Sequence, residues 1–358
     1  MKNQQPHYIQ LYETLREEIT RGVWPHGARM PSRRVLAKER GLSAVTVEHS
    51  YDLLCQEGYI EARPRSGFYV IFRPADGFAR APRRVEMPAR GGFPQAPETA
   101  FPFAALARAV RRVLSEAGEA LLLRSPSQGV KPLREALSGY LARNRGMQIK
   151  PEQIVIGSGA EYLYGLVVEL LGRGRAYAIE APSYEKIEQV YRARGVEVEL
   201  LPLGRDGIQS DALAAARASV LHITPYRSFP SGVTADASKR REYLKWAEKP
   251  GRYIVEDDFE SEFSLLRKPE ETVFSNAKGQ NVIYLNTFSR TVSPALRVGY
   301  MVLPEELVPE FTKKLGFYSC TVPTLEQYLL SDLIVSGEFE RHINRIRRKK
   351  RKEENESS

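Results

Sequence analysis

Six short runs of β-branched and aromatic residues recur from residue 154 to residue 285, and stretches with helical periodicity separate them. The runs occupy residues 154–156, 176–179, 196–201, 220–223, 253–255 and 282–285. Helical stretches such as 161–171 and 239–247 lie between them. Strands that alternate with helices form a mainly parallel sheet with helices on both faces. Ligands of such sheets bind beyond the carboxyl ends of the strands, so the polar residues at those ends are candidate site residues.

The length and composition of the chain narrow the class of protein. A chain of 358 residues is expected to form two or more domains. It has no apolar signal segment, no apolar stretch of the ~18 residues that a membrane span requires, and only two cysteines, so we expect a cytoplasmic protein without a membrane partner. Residues 341–358 contain eight basic and three acidic residues and so carry +5 of the net charge of +9. Net charge therefore supports nucleic-acid binding only weakly.

The first 72 residues predict three helices followed by a hairpin. Apolar residues spaced by four predict a helix over 8–22. Ser32 and Ser43 each precede a helical stretch that their hydroxyls can cap, and Gly41 can adopt the positive φ that ends the first of these stretches. Two strands within 59–71 flank a turn with two arginines. By itself this pattern fits either a DNA-binding winged helix or a small three-helix packing module.

Four motifs in this segment resemble the winged helix of the GntR family in order and spacing. They occupy residues 30–37, 41–47, 57–59 and 66–70. The resemblance implies double-stranded operator DNA as a partner. The residues that it places at the DNA backbone, in the major groove and, from the wing, in the minor groove are Arg34, Ser43, Thr46, Arg63, Arg65 and Gly67. The family has an arginine directly after the serine that begins the recognition helix, whereas this chain has Ala44, so we expect weakened or altered site choice.

Polar motifs follow four of the six predicted strands. They occupy residues 157–161, 182–184, 256–258 and 287–291, the last of which is followed by 297–300. Together and in this order they resemble the fold type I pyridoxal-phosphate enzymes, the aminotransferases. Combined with the first 72 residues, they make the chain similar to the MocR-type regulators, the branch of the GntR family that carries an aminotransferase-like domain.

The resemblance implies a binding site for pyridoxal 5'-phosphate. The residues that would hold its phosphate are Gly159, Ala160, Thr287, Ser289 and Arg297. The glycine turn that opens a helix suits this role, because free amides and the helix dipole favour an anion. Tyr184 would stack on the pyridine ring, and Asp257 would pair with the ring nitrogen.

Arg290 stands where the family has the lysine that forms the Schiff base. A guanidinium stays protonated and cannot form an imine, so no catalytic residue is predicted and the cofactor would bind non-covalently at most. Phe259 stands where a tyrosine is expected, and residues 226–228 replace a Ser-His-Gln motif, so the changes concentrate in one pocket. We expect Arg290 to pair with Asp257, because each would otherwise be a charge without a partner at a partly buried site.

The predicted organisation has four parts. They are a winged helix over 1–72, a linker over 73–100, an aminotransferase-like domain over 101–346 and a basic tail over 347–358. Five prolines and three glycines in 73–100 exclude a continuous helix there. The tail fits either contact with DNA phosphates or a solvated end. The family continues into a small C-terminal domain that we expect this chain to lack.

The expected fold class is therefore multidomain, with a winged helix-turn-helix and an α/β aminotransferase-like domain built on a mainly parallel sheet. The expected function is DNA-binding transcriptional regulation by a homodimer. The second domain would contribute dimerisation and reversible binding of a small-molecule effector, and no metal site is predicted. Two alternatives remain, a pyridoxal-phosphate-dependent aminotransferase, which Arg290 disfavours, and a truncated non-functional product.

Overall fold

Two units make up the chain. The computed structural model describes residues 6–73, 101–264, 271–277 and 281–357. One unit is Met1–Pro94 and the other is Gln95–Ser358. The predicted linker, 73–100, lies outside the described residues except for its first residue.

Three helices and a two-stranded hairpin form the smaller unit. They are α1 (His7–Thr20), α2 (Arg33–Arg40), α3 (Ala44–Gln56), β1 (Ile60–Arg63) and β2 (Gly67–Val70). Leu15, Val47 and Tyr51 are fully buried in the core of this unit. β1 and β2 pair antiparallel, with Arg63 opposite Gly67 beside the turn. This arrangement is the predicted winged helix.

Both predicted helix caps are present. The Ser32 hydroxyl accepts a hydrogen bond from the backbone N–H of Val35 at 3.3 Å, and the Ser43 hydroxyl accepts one from the N–H of Thr46 at 3.1 Å. Gly41 follows α2 with a φ of 63°, which glycine adopts without steric cost. These local interactions fix where α2 and α3 begin and therefore which side chains the first turn of α3 presents.

Seven strands form one sheet in the larger unit. They are β3 (Ile154–Gly157), β4 (Tyr177–Ala181), β5 (Val198–Pro202), β6 (Val220–Ile223), β7 (Tyr253–Asp257), β8 (Val282–Thr287) and β9 (Gly299–Val302). Their order across the sheet is β3-β9-β8-β7-β6-β4-β5. All neighbours from β8 to β5 are parallel, whereas β9 is antiparallel to both β3 and β8. The predicted runs match six strands, and β9 is the strand that they do not predict.

Helices cover both faces of this sheet. They are α4 (Phe103–Ala117), α5 (Lys131–Arg145), α6 (Ala160–Leu171), α7 (Glu185–Ala193), α8 (Ser210–Ala215), α9 (Ala237–Ala247), α10 (Val273–Asn276), α11 (Leu307–Leu315), α12 (Thr324–Val335) and α13 (Glu338–Ser357). Successive side chains of a strand enter different cores: Ile154 and Ile156 belong to one, and Val155 belongs to the other. The sheet is therefore buried on both sides and can present polar groups only at its ends.

The predicted boundary between residues 346 and 347 falls inside α13, which runs through it without interruption. The basic residues of the predicted tail thus continue a helix whose earlier part is anchored in the core by Phe339, Ile343 and Ile346. Within the described ranges, no helix is long and apolar enough to cross a membrane.

Candidate functional site

A pocket of about 310 Å³ lies at the carboxyl ends of β7 and β8, next to the start of α6. Six of the seven residues predicted to hold the cofactor line it: Ala160, Tyr184, Asp257, Thr287, Ser289 and Arg297. The seventh, Gly159, precedes Ala160 at the N-cap of α6. The structure thus brings together residues that are up to 138 positions apart, from Gly159 to Arg297, at one edge of the sheet.

One wall of the pocket has the features of an anion site. The first turn of α6 directs unpaired backbone amides and the positive end of the helix dipole outward. Gly159 has a φ of 92°, and a Cβ at this position would lie only 3.0 Å from Nη2 of Arg297. The absence of a side chain here therefore allows the guanidinium of Arg297 to lie directly against the helix terminus.

Hydroxyl groups from the end of β8 complete this wall. The Thr287 hydroxyl donates to the Ser289 hydroxyl at 3.0 Å, and the backbone N–H of Ser289 donates to the Thr287 hydroxyl at 3.2 Å. Arg297 lies 3.8 Å from a carboxylate oxygen of Glu161, whose other oxygen is 2.7 Å from the ammonium of Lys186. Glu161 is thus the closer partner of Lys186, and Arg297 keeps donors for a ligand.

Asp257 occupies the floor of the pocket, where Tyr164 donates a hydrogen bond to its carboxylate and His222 and Tyr191 lie behind it. The Tyr164 hydroxyl donates a short hydrogen bond to Oδ2, and Nε2 of His222 lies 3.7 Å from the same oxygen. The Tyr191 hydroxyl in turn contacts Nδ1 of His222 at 2.7 Å. Burial and the neighbouring Asp257 raise the pKa of Tyr164 well above its usual value, so this phenol remains a hydrogen-bond donor.

The sequence pattern did not identify these supporting residues. Tyr164 lies four positions after Ala160 on α6, which places both on one face of the helix and was the available signal. His222 lies within β6, where the sequence pattern predicts only a buried strand residue. Side chains that support a functional group from inside the core carry no motif of their own.

Two aromatic rings stand at the mouth of the pocket. Tyr184 lies at the N-cap of α7, and its ring meets that of Phe229 edge to face, with centroids 6.3 Å apart. Both rings are substantially exposed and both line the pocket. The predicted stacking residue is therefore at the site, with a second aromatic beside it.

The predicted pairing of Arg290 with Asp257 is wrong. Nη2 of Arg290 lies 2.5 Å from Oε1 of Glu260, and no ion pair joins Arg290 to Asp257 in this described part of the chain. Asp257 is buried and already accepts a hydrogen bond from Tyr164, whereas Glu260 lies nearer the surface, where Arg290 is 53% exposed. The exposed pair forms because an arginine that stays at the surface avoids the desolvation cost of reaching the pocket floor.

The residues predicted to bind DNA lie on the first turns of α2 and α3 and on the wing. Arg33, which precedes Arg34, connects these elements: its guanidinium forms a close ion pair with Glu48 of α3 and lies 5.8 Å from the ring centroid of Phe68 in β2. Arg34 and Arg65 are exposed, and neither has an ion-pair or hydrogen-bond partner in the described ranges.

The remaining predicted DNA contacts are engaged within the unit. The Ser43 and Thr46 hydroxyls are 2.8 Å apart at the start of α3. Arg63 lies over the ring of Tyr69, 4.5 Å from its centroid, and 3.5 Å from a carboxylate oxygen of Glu61. Gly67 has a φ of 110° and packs against the guanidinium of Arg29.

Two protein families match the two units. Residues 7–70 match the family "Bacterial regulatory proteins, gntR family", and residues 92–354 match the family "Aminotransferase class I and II". Both matches agree with the folds, because the first covers the winged helix and the second covers the seven-stranded sheet.

Similar proteins share this two-part organisation or its second part. The chain is 30% identical to the probable rhizopine catabolism regulatory protein MocR of Rhizobium meliloti, over 96% of this chain and 74% of that protein. It is 29% identical to the uncharacterized HTH-type transcriptional regulator YdeL of Bacillus subtilis, over 97% of this chain and 77% of that protein. Among solved structures, LysN, an α-aminoadipate aminotransferase of Thermus thermophilus complexed with N-(5'-phosphopyridoxyl)-L-leucine, matches with 31% identity and a TM-score of 0.61, over 71% of this chain and just under two thirds, 65%, of the enzyme.

The winged helix, the aminotransferase-like sheet and the relatives that span both agree with one another. The chain belongs to the MocR-type helix-turn-helix transcriptional regulators, in which a GntR-type winged helix precedes a class I and II aminotransferase domain.

Proposed function

We propose that the larger unit of this regulator binds pyridoxal 5'-phosphate or a close phosphorylated pyridine as a reversible, non-covalent effector. One observation carries the proposal. Asp257, Ala160, Thr287, Ser289 and Arg297 line one pocket, and Arg290, at the position that the resemblance gives to the Schiff-base lysine, is paired with Glu260. Such a pocket has the donors to recognise the ligand but no amine at that position to retain it.

The residues of the pocket fit the phosphate and the ring of such a ligand. The amides of α6, the two hydroxyls and Arg297, whose guanidinium packs against Gly159, form a donor set suited to a phosphate dianion. Asp257 supplies the negative charge that a pyridinium nitrogen requires, and Tyr184 supplies a ring for stacking.

Pyridoxal phosphate, when bound in an aminotransferase, supplies an aldehyde and an electron-withdrawing ring. In this chain Asp257 would orient the ring, because the hydrogen bond from Tyr164 fixes the position of its carboxylate. Arg290 cannot become a nucleophile, since its guanidinium stays protonated. Binding and release are therefore the chemistry that this pocket supports.

We further propose that the regulator is a cytoplasmic homodimer that reads paired half-sites in operator DNA. Four large apolar side chains in two neighbouring segments of the larger unit favour self-association: Leu122, Leu123, Phe317 and Tyr318 are each more than half exposed. Hydrogen bonds from Thr324 to the backbone of Leu123 and from Arg124 to Ser319 hold these segments together. An exposed apolar patch of this kind favours a second copy of the chain.

Calorimetric titration of the full chain with pyridoxal phosphate tests the ligand. We expect saturable binding that dialysis fully reverses and that borohydride does not make permanent in the pocket. Arg297→Gln should weaken binding about tenfold, because it removes a charge-assisted hydrogen bond to the phosphate. Arg192→Gln is the matched control, since Arg192 pairs with Glu188 on α7 and neither residue lines the pocket. No binding, or equal losses in both variants, contradicts the proposal.

Selection of binding sites from random duplex DNA tests the smaller unit. We expect a two-part site whose affinity falls steeply with salt concentration. Arg34→Gln should weaken binding to all sequences and reduce the salt dependence, because Arg34 would contact phosphate. Failure to enrich any sequence would contradict operator recognition.

A further inference from the structure

The recognition helix α3 contains no lysine or arginine along its whole length, Ala44–Gln56. Its ionisable residues are instead the acidic Glu48 and Asp52, together with His49, Tyr51 and Cys55. The commonest specific contact with DNA is an arginine or lysine that binds guanine in the major groove, and α3 has no residue that can make it. Base recognition by this helix must therefore use other chemistry.

The first turn of α3 presents apolar groups to the exterior. Ala44 and Val45 are the first two residues of the helix after the Ser43 cap, and both are exposed. Val45 has 58% of its surface exposed, although valine is among the residues most often buried. The N-terminal residues of a recognition helix are those that contact base edges.

The charged groups around this turn are arranged so that the apolar ones can approach DNA. Glu48, one turn after Ala44, is neutralised by its ion pair with Arg33. Arg34 and Arg65, on α2 and on the wing, have no internal partner among the described residues and suit contacts with phosphates. The residues suited to phosphate contacts are thus different from the residues that can contact bases.

We propose that Ala44 and Val45 read thymine through its C5-methyl group, so that each half-site contains an A·T pair beneath the start of α3. This inference rests on the proposed binding of operator DNA and specifies what is recognised there. The thymine methyl group is the apolar feature that base pairs present in the major groove, and it would cover the exposed side chains of Ala44 and Val45. The expected partner is duplex DNA whose half-sites place thymine, not guanine, at this position.

Replacement of thymine by deoxyuridine removes only the methyl group and tests the inference. After a site has been selected with the full chain, each thymine is replaced in turn and the dissociation constant is measured. We expect at least one replacement per half-site to weaken binding by about fourfold, the factor for burial of one methylene-sized group. In Val45→Ala the same replacement should have a smaller effect, because the protein side of the contact has been shortened.

Val35→Ala is the matched control, because Val35 is also an exposed valine, at 48%, but lies on α2. It should retain the full deoxyuridine effect. Ala44→Arg should shift the selected base toward guanine in the same half-site position. A selected site with guanine at this position, or one with no deoxyuridine effect, overturns the inference. Selection that enriches no sequence overturns the proposed operator binding instead, so the two failures are distinguishable.

Discussion

Arg290 and Glu260 meet at the mouth of the pocket, where the arginine is 53% and the glutamate 13% exposed. An ion pair with this much exposure contributes little to stability, so Arg290 can be replaced without loss of the fold. Under the proposed function, Arg290 would leave ligand recognition possible but exclude covalent attachment.

Arg290→Lys should allow the pocket to attach pyridoxal phosphate covalently. A lysine amine can lose its proton and react with an aldehyde, whereas a guanidinium cannot. We expect a mass increase after borohydride reduction that maps to Lys at position 290, and unchanged thermal stability. Mass spectrometry of the intact and the digested protein measures the mass increase and its position in the chain.

Arg290→Gln is the control for this prediction. It removes the charge but adds no amine, so ligand binding should remain and no adduct should form in the pocket. A covalent adduct in the wild-type pocket, or a lysine variant that binds the ligand without attaching it, contradicts the assigned role of Arg290.

Sequence motifs located the residues of the pocket but not their pairing. Asp257 and Thr287 end the parallel strands β7 and β8, and Arg297 lies just before the antiparallel strand β9, so topology brings all three to one edge of the sheet. Partner choice depends on relative burial. Asp257 is deep and Glu260 is not, and no motif distinguishes the two carboxylates as partners for Arg290.

At the scale of elements, the sequence predicts features that depend on local interactions better than features that depend on long-range contacts. The caps of α2 and α3 are local interactions, because each serine hydroxyl accepts a hydrogen bond from an amide only three residues later. β9 is a four-residue strand buried on both faces between β3 and β8. It shows no period-two alternation, and only the apolar run from Tyr300 to Leu303 could have indicated it.

Ser43→Ala should destabilise α3. It removes the acceptor for the N–H of Thr46 and costs about 1 kcal/mol, typical of a lost helix cap. We expect faster hydrogen exchange in the amides of 44–56, measured by mass spectrometry on the full chain, with no change in the larger unit.

Ser43→Asp distinguishes the cap from the proposed DNA contact. Aspartate is also a good cap and its charge suits the helix dipole, so exchange of α3 amides should stay at the wild-type rate. The same charge lies beside DNA phosphates in the proposed complex, so operator affinity should fall. Equal operator affinity in the wild type and Ser43→Asp would remove Ser43 from the DNA interface.

Across the larger unit, several carboxyl groups are buried at the ends of strands. Glu180 on β4 accepts hydrogen bonds from the backbone N–H of Thr224 and the hydroxyl of Ser228, but burial outweighs them and raises its pKa to about 7. Burial also raises the pKa of Glu256 on β7 to about 8, despite hydrogen bonds from two backbone amides of α10. The unit therefore folds with carboxyl groups that hold protons near neutral pH.

This arrangement predicts that the larger unit loses stability as the pH rises from about 5 to 8. Unfolded Glu180 ionises near its ordinary pKa of 4.5, whereas folded Glu180 keeps its proton up to about 7, so the folded state binds more protons across this range. Burial lowers the pKa of His342 to about 4, which acts in the opposite direction below pH 6.5, but this contribution is common to the wild type and a Glu180 variant.

As the pH rises from 5 to 8, the free energy of unfolding of Glu180→Gln should therefore increase by about 2 kcal/mol relative to that of the wild type. The amide cannot ionise, and the Ser228 hydroxyl can rotate to accept from it, so the buried site stays hydrogen-bonded. Urea unfolding followed by Trp246 fluorescence, with Trp24→Phe in every protein compared, reports on the larger unit. Glu197→Gln, at an exposed position just before β5, should leave the pH dependence unchanged. Identical pH profiles for the wild type and Glu180→Gln would mean that Glu180 is ionised in the folded protein, because only a proton held in the folded state and lost on unfolding produces the slope.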